Sequence, residues 1–529
     1  MDVREILLGD EAVALGALHA GISGAFGYPG TPSTEMFEYV EAHAEKWGVI
    51  ARWSANEKVA YEEALGMSFA GKRSIVSMKH VGLNVAADAF VNSGVTGVHG
   101  GLVLMVADDP GMHSSQNEQD SRFYAKFAGV PCYEPRNQQE CYDMVREAFD
   151  LSEKLELPVV MRMVTRLAHS RADVLLGEPR PQNKLDPVTD PTHFTLLPGV
   201  ARKRWAKVAA MQPEIIADSE ASRFNTLELE GRDTKIGIIA NGVASNYVRE
   251  IWDGQVPYAM LSIRRYPLPM ALIKKLVDAV DVVYVFEEGY PLIEEAITGI
   301  NGIGKPLHAR ADGTVPRTGE LTPAIAKQVF GIQPSGGVKS TLENVPGRPP
   351  KLCQGCSHAD TYNLIRETLK DYPVKRAFAD IGCYTLGFYE PFNGVHSCVD
   401  MGASITMAKG ASAAGLFPVV ATIGDSTFMH SGMTGLVGAA RDNANMTLFI
   451  LDNSTVAMTG TQLTMATGDA LYNVVKGLGV PEDHIKIITP LPRKHEENMA
   501  VVKAEIEHNG LSVIIARRVC IQAARKARG

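Results

Sequence analysis

A chain of 529 residues with 45% hydrophobic and 21% charged residues has room for two to four globular domains, and it holds no apolar run of about 18 residues such as a membrane-spanning helix needs. Its net charge of −8 argues against a nucleic-acid partner, which would need a concentrated basic face, and the cluster Arg517, Arg518, Arg525, Lys526 and Arg528 reads as a solvated terminal helix. Seven scattered cysteines and the charged start Met1-Asp2-Val3-Arg4-Glu5 suit a reducing compartment without a secretion signal, so a cytoplasmic location is expected.

Along the chain, short apolar runs recur at 74–78, 102–106, 159–164, 235–240, 282–286, 419–423, 447–451 and 512–516. Each is followed by a polar or glycine-rich turn and then a helical pattern. Runs of this kind are strands buried on both faces of parallel sheets, with helices as the crossovers. The expected class is α/β, with doubly wound units built on mainly parallel sheets. The rhythm lapses over 176–234, where Pro179, Pro181, Pro187, Pro191 and Pro198 fall, and again near 333–350, which is rich in Pro, Gly and Ser. The chain thus divides into units at 1–175, 235–330 and 350–529, with linkers at 176–234 and 331–349.

The sharpest motif pair lies in the last unit. The expected strand 419–423 ends in Gly424-Asp425-Ser426, and the expected strand 447–451 ends in Asp452-Asn453-Ser454-Thr455; Asn453 follows Asp425 by 28 positions. One helix and a return strand fill that separation. It puts both polar side chains at the carboxyl edge of neighbouring strands, where open α/β sheets bind ligands. An Asp carboxylate and an Asn carbonyl are hard donors. With a backbone carbonyl, a water and two phosphate oxygens they complete an octahedron for Mg²⁺. Gly424 lets the backbone approach phosphate. Either pair alone would be an ordinary strand terminus.

Trp53-Ser54-Ala55-Asn56-Glu57 leads into a helix of small residues. Taken alone, Glu57 is a carboxylate favoured by the helix dipole, with Glu62 and Glu63 as rivals for any chemical role. Further stretches follow in order: Gly27-Tyr28-Pro29-Gly30-Thr31-Pro32, Ser114-Ser115-Gln116-Asn117-Glu118-Gln119-Asp120-Ser121-Arg122, Cys353-Gln354-Gly355-Cys356-Ser357-His358, Asp400-Met401-Gly402-Ala403-Ser404 and Ala457-Met458-Thr459-Gly460.

With the Asp425 and Asn453 motifs, these stretches resemble the large subunits of indolepyruvate ferredoxin oxidoreductases, in the thiamine-diphosphate-dependent 2-oxo acid:ferredoxin oxidoreductase superfamily. The resemblance covers nearly the whole chain. It implies a pyrimidine-binding domain, a transketolase C-terminal-like middle domain and a diphosphate-binding domain. It also implies oxidative decarboxylation of an aryl 2-oxo acid, with coenzyme A taking the acyl group. Glu57 is then the acid–base partner of the aminopyrimidine ring. Asp425, Asn453 and Thr455 hold the metal, and Gly424, Ser426, Gly402, Ala403 and Ser404 line the cofactor. Thr31 meets the substrate, and His358 is a pocket residue that binds substrate or moves protons.

Arg122 is either a bidentate partner for the substrate carboxylate or part of a surface salt bridge within the acidic stretch of Glu118 and Asp120. By donor type, Cys353, Cys356, Cys383 and Cys398 can hold an iron–sulfur cluster; the resemblance instead puts Cys356 and Cys383 in the lining of the thiamine pocket. Family members commonly end in a ferredoxin-like domain with two runs of close cysteines, and no such run occurs here. Iron–sulfur clusters are therefore expected only on partners: the small subunit, a separate iron–sulfur or flavin subunit, and ferredoxin or a similar acceptor. A homodimer of this chain within a hetero-oligomer is expected as well. The alternative is a non-oxidative thiamine-dependent decarboxylase or carboligase, which needs no acceptor.

Overall fold

The computed structural model describes residues 3–188, 190, 193–299, 302–316, 318–333, 351–372, 375–398 and 400–527. Most of the expected linker at 331–349, and Arg528 of the basic tail, lie outside the described residues. Contacts divide the chain into two compact units, 1–340 and 341–529.

The first unit is built on a seven-stranded sheet in the order Arg265–Tyr266, Cys132–Tyr133, Val159–Val164, Leu102–Asp108, Ser74–Lys79, Gly24–Gly27 and Ile50–Trp53. All pairings are parallel except the first. Every residue of the three expected strands here is buried, because helices cover both faces. Ile75, Val103 and Met161 point into one apolar cluster. Their neighbours Val76, Leu104 and Val160 point into the other, as the twofold alternation of a strand requires.

A second sheet in this unit runs Leu307–His308, Val282–Phe286, Asp233–Asn241, Tyr258–Ile263 and Thr226–Glu228, with the last strand antiparallel. Two expectations are corrected here. The stretch 176–234 is no plain linker, for it contains the helix Pro198–Glu220 and the strand Thr226–Glu228. That helix has Pro213 in its interior and buries Val208, Ile215 and Ser219, so its apolar stripe is too thin to read from sequence. Nor is 235–330 a body apart from 1–175, since Arg265–Tyr266 is an edge strand of the first sheet.

The second unit holds a six-stranded, fully parallel sheet. Its order is Val395–Ser397, Ala377–Phe378, Val420–Gly424, Met446–Asp452, Leu511–Arg517 and Ile485–Ile488. Chain order reverses between Ala377–Phe378 and Val420–Gly424, and the crevice beyond the carboxyl ends of such a pair is where doubly wound sheets bind ligands. No helix among the described residues is long and apolar enough to cross a membrane.

Candidate functional site

Four strands of the second unit deliver polar residues to the same carboxyl edge. Asp380 follows Ala377–Phe378, Asp425 follows Val420–Gly424, Asn453 follows Met446–Asp452, and Cys520 follows Leu511–Arg517. Asp425 is 2% exposed. One of its oxygens accepts from the Ser426 amide at 2.9 Å and the other from the Ser454 amide at 2.8 Å. Burial, and then the charge of Asp452, push its carboxyl up to about 8. A dehydrated carboxylate beside a second acid is the electrostatic setting a divalent cation relieves, and oxygen donors suit magnesium. The residues therefore fit the ion.

Asn453 is buried; its carbonyl accepts from the Thr455 amide at 3.1 Å, and its Nδ2 donates to His358 Nε2 at 3.1 Å. Burial, and then the Arg518 charge, lower His358 to about 4. Neutral imidazole thus fixes which way the Asn453 amide faces, and this makes His358 a positioning residue where sequence had suggested substrate or proton contact. Thr455 is buried, and its hydroxyl donates to the Gln462 carbonyl at 2.9 Å. At Gly424 a Cβ would stand 2.9 Å from the Tyr384 ring, so close packing against that ring is a further reason for glycine.

The amides of 402–404 are not open to a cofactor as expected. Asp380 accepts from Gly402 N at 3.1 Å and from Ser404 N at 3.2 Å, while Ala403 N donates to the Asp400 carbonyl at 3.2 Å. Asp380 also accepts from the Tyr384 hydroxyl. This aspartate, which sequence reading missed, supplies the negative charge at the start of helix Ala403–Ala413.

The cysteine set also differs from the expected one. Cys353, Cys356, Cys383 and Cys520 line one cavity together with His358 and Asn453. Cys398 instead donates to the Asp380 carbonyl at 3.8 Å. Cys520 N donates to the Asn453 carbonyl at 3.0 Å, which ties this wall to the candidate metal site. Burial, reinforced by the neighbouring thiols, raises Cys356 and pushes Cys383 up to about 12. The Cys356 and Cys383 thiols therefore stay protonated near neutral pH. Among the described residues no three His, Cys, Asp or Glu side chains stand close enough together to hold a metal ion.

In the first unit, Glu57 opens the helix Glu57–Phe69 behind the capping Asn56, whose side chain accepts from Val59 N at 2.9 Å. Glu57 is buried, whereas Glu62 and Glu63 are exposed, the former paired with Lys58. A Cβ at Gly82 would stand 2.6 Å from the Glu57 carboxylate, so that helix-forming position is held by glycine. Thr31 is half-buried, and its carbonyl receives the Ser114 hydroxyl at 3.4 Å.

Arg122 is not available to a substrate. Its side chain is fully buried, forked onto Asp120, and 3.0 Å from Glu287; it also donates to the Tyr266 hydroxyl and the Tyr290 carbonyl, each at 3.1 Å. An ion pair with Asp120 is present as expected, but it is buried and not at the surface, and it is shared with the sequence-distant Glu287. Glu287 and Glu288, which follow strand Val282–Phe286, are buried as well.

Residues 15–215 match the family described as Pyruvate flavodoxin/ferredoxin oxidoreductase, thiamine diP-bdg. Residues 380–516 match Thiamine pyrophosphate enzyme, C-terminal TPP binding domain. The indolepyruvate oxidoreductase subunit IorA of Thermococcus kodakarensis is 38% identical, over 98% of this chain and 86% of the relative. Its counterpart in Methanothermobacter thermautotrophicus is 35% identical, over 99% of this chain and 88% of the relative. Among solved structures, the 2-oxoglutarate:ferredoxin oxidoreductase from Magnetococcus marinus superposes with a TM-score of 0.52 at 18% identity, covering 62% of this chain and 65% of that chain. This last likeness is one of fold.

Proposed function

Because the chain belongs to the indolepyruvate oxidoreductase subunit IorA family, we propose that it oxidatively decarboxylates an aryl 2-oxo acid of the indolepyruvate or phenylpyruvate kind. Coenzyme A takes the acyl group, and iron–sulfur clusters take the electrons. The observation that carries this reading is the buried Asp425 carboxylate, raised by burial and Asp452 and placed beside Asn453 at the sheet's carboxyl edge. When bound, thiamine diphosphate supplies a nucleophilic carbon and an electron sink.

This chain's residues have separate tasks. Asp425, Asn453 and the Thr455 carbonyl would hold magnesium, and His358 keeps the Asn453 amide turned. Glu57 would be the proton partner of the cofactor's ring nitrogen. Cys353, Cys356, Cys383 and Cys520 are the donors for a cluster within this chain, in addition to clusters on partner subunits. Their sulfur-only set, with a Cys-x-x-Cys pair, supports that assignment, and iron would displace the thiol protons on binding. The word subunit in the relatives' name supports a partner chain, which this reading takes as a small subunit; ferredoxin or a similar acceptor, and a homodimer of this chain within the assembly, complete the proposal.

The test is anaerobic purification with native partners, then assay with thiamine diphosphate, magnesium, coenzyme A, phenylpyruvate or indolepyruvate, and a viologen dye. Dye reduction that needs both coenzyme A and the 2-oxo acid is expected. Carbon dioxide and aldehyde released without dye reduction would replace this reading with a non-oxidative decarboxylase. In the same preparation, Cys356→Ala is expected to lose about four irons per chain while keeping cofactor affinity. Unchanged iron would leave the clusters to the partners alone.

A further inference from the structure

With Arg122 committed elsewhere, the first unit needs another cation for an anionic substrate, and one stands beside the Thr31 loop. We propose that Lys79, the last residue of strand Ser74–Lys79, receives the carboxylate of the 2-oxo acid. The assignment rests on the reading that the substrate is a 2-oxo acid, and it names the group that holds it.

Lys79 is only 8% exposed. Its ammonium has three N–H donors, and its one hydrogen bond among the described residues goes to the Ser114 carbonyl at 2.7 Å. No carboxylate among the described residues makes an ion pair with it. The acid that acts on it is Asp109, whose oxygens are occupied by the Ser114 amide at 2.8 Å and by the Ser115 and Thr165 hydroxyls at 2.6 Å each. A buried charge without a counter-ion is costly, and an arriving anion removes that cost.

The neighbouring residue gives a second, independent sign of a ligand. His80 is 1% exposed, and its Nδ1 has no partner, while its Nε2 lies 3.4 Å from the Asn117 side-chain oxygen. A buried ring nitrogen left open in this way is completed by a ligand or a water. Both residues begin the 17-residue helix His80–Thr96, whose amino end favours negative charge.

The position also suits the chemistry. A Cβ at Gly30 would stand 3.0 Å from the Lys79 Cβ, so the lysine stem packs on the loop that bears Thr31. Ser114, which accepts from Lys79, also reaches the Thr31 carbonyl. One turn into the helix, Gly82 abuts Glu57, the ring-nitrogen partner of the proposed function. Lys79, Thr31 and Glu57 thus share one edge of the first unit, and Ser114 and Asn117 are exposed, which gives a substrate access from the surface.

Titration calorimetry with phenylpyruvate on the purified complex tests the assignment. Lys79→Met, which keeps the apolar stem, is expected to weaken phenylpyruvate binding about 10- to 100-fold, the worth of hydrogen bonds to a charged group. Thiamine diphosphate affinity should not change. In the unsubstituted protein, burial lowers Lys79 to about 8 against the opposing pull of Asp109. His80, lowered chiefly by burial, stays neutral in that range. The positive charge is therefore present below about pH 8 and lost above it, so phenylpyruvate affinity should fall about tenfold per pH unit beyond that point. In Lys79→Arg it should stay flat to about pH 10. Unchanged phenylpyruvate affinity in a Lys79→Met protein that still binds the cofactor would overturn the assignment. If that variant does not fold, a flat affinity profile of the unsubstituted protein from about pH 7 to about pH 10 does the same. Dye reduction by the unsubstituted complex tests the oxidative reading separately.

Discussion

Asp425→Ala is expected to abolish magnesium-dependent binding of thiamine diphosphate while leaving the fold intact. The carboxylate is buried, its partners are backbone amides, and Asp452 lies close enough to raise its pKa. Without a cation that arrangement opposes folding. A carboxyl whose pKa rises on folding contributes stability below its unfolded value, here 3.8, and loses it as pH climbs through about 8. Alanine removes the liability, so the cofactor-free variant should melt no lower than the parent at about pH 8. For binding the effect is opposite in sign. Outer-shell partners of a metal are worth about 10- to 100-fold in affinity, so loss of a direct ligand should cost at least about 100-fold. Calorimetry with and without magnesium, paired with thermal melts, separates the two effects. A variant that binds the cofactor as the parent does would remove Asp425 from the metal site; one that melts far lower would make it a structural residue.

What the sequence made legible were features whose cause is local. Strands such as Val159–Val164 and Val282–Phe286 appear where their apolar runs lie, because strands covered on both faces need uninterrupted apolar side chains. Asp425 and Asn453 were legible because one βαβ unit fixes their separation. Cys520 was not, because the strand before it lies beside Met446–Asp452 only through nonlocal pairing. Cys398, nearer in sequence to Cys383, lies outside the cavity that Cys520 lines and donates to the Asp380 carbonyl instead. Asp380 escaped notice because its partners at Gly402 and Ser404 become neighbours only when the switch-point crevice forms. Lys79 and His80 carry no signal in sequence, because their burial against the Ser114 loop is a tertiary fact. Arg122 shows the limit most plainly. Sequence offered it Glu118 and Asp120, while the structure adds Glu134, Glu287 and, through the shared Asp120, Arg162.

That buried network should yield the largest stability effect in the chain. Arg162 has no exposed side-chain surface; it lies 2.6 Å from Asp108 and 3.6 Å from Asp120, and it pairs with Glu134. Arg122 covers Asp120 and Glu287 from the other side. Two guanidinium groups thus serve at least four carboxylates, and burial pushes Glu287 and the adjacent Glu288 up to about 7. Removing one partner of a buried pair leaves uncompensated charge, typically at a cost of about 3–5 kcal/mol. Arg162→Met, close in length, is expected to destabilise the folded chain by about that much. Arg162→Lys should recover only part of it, since a point charge cannot bridge Asp108 and Glu134 as a planar fork does. The pH dependence distinguishes lost charge pairing from lost packing. Carboxyls with pKa values raised on folding contribute stability at low pH and lose it as pH rises through their folded values. Arg162 holds down the raised carboxyls of Asp108 and Glu288, so deleting it should push both up further and the deficit should be smaller at about pH 5 than at about pH 8. Denaturant unfolding of parent and variant at the two pH values measures this directly. An equal deficit at both would reduce Arg162 to a space-filling side chain, whereas a deficit that shrinks in acid would show that the arginine balances the carboxylates at the core of the first unit.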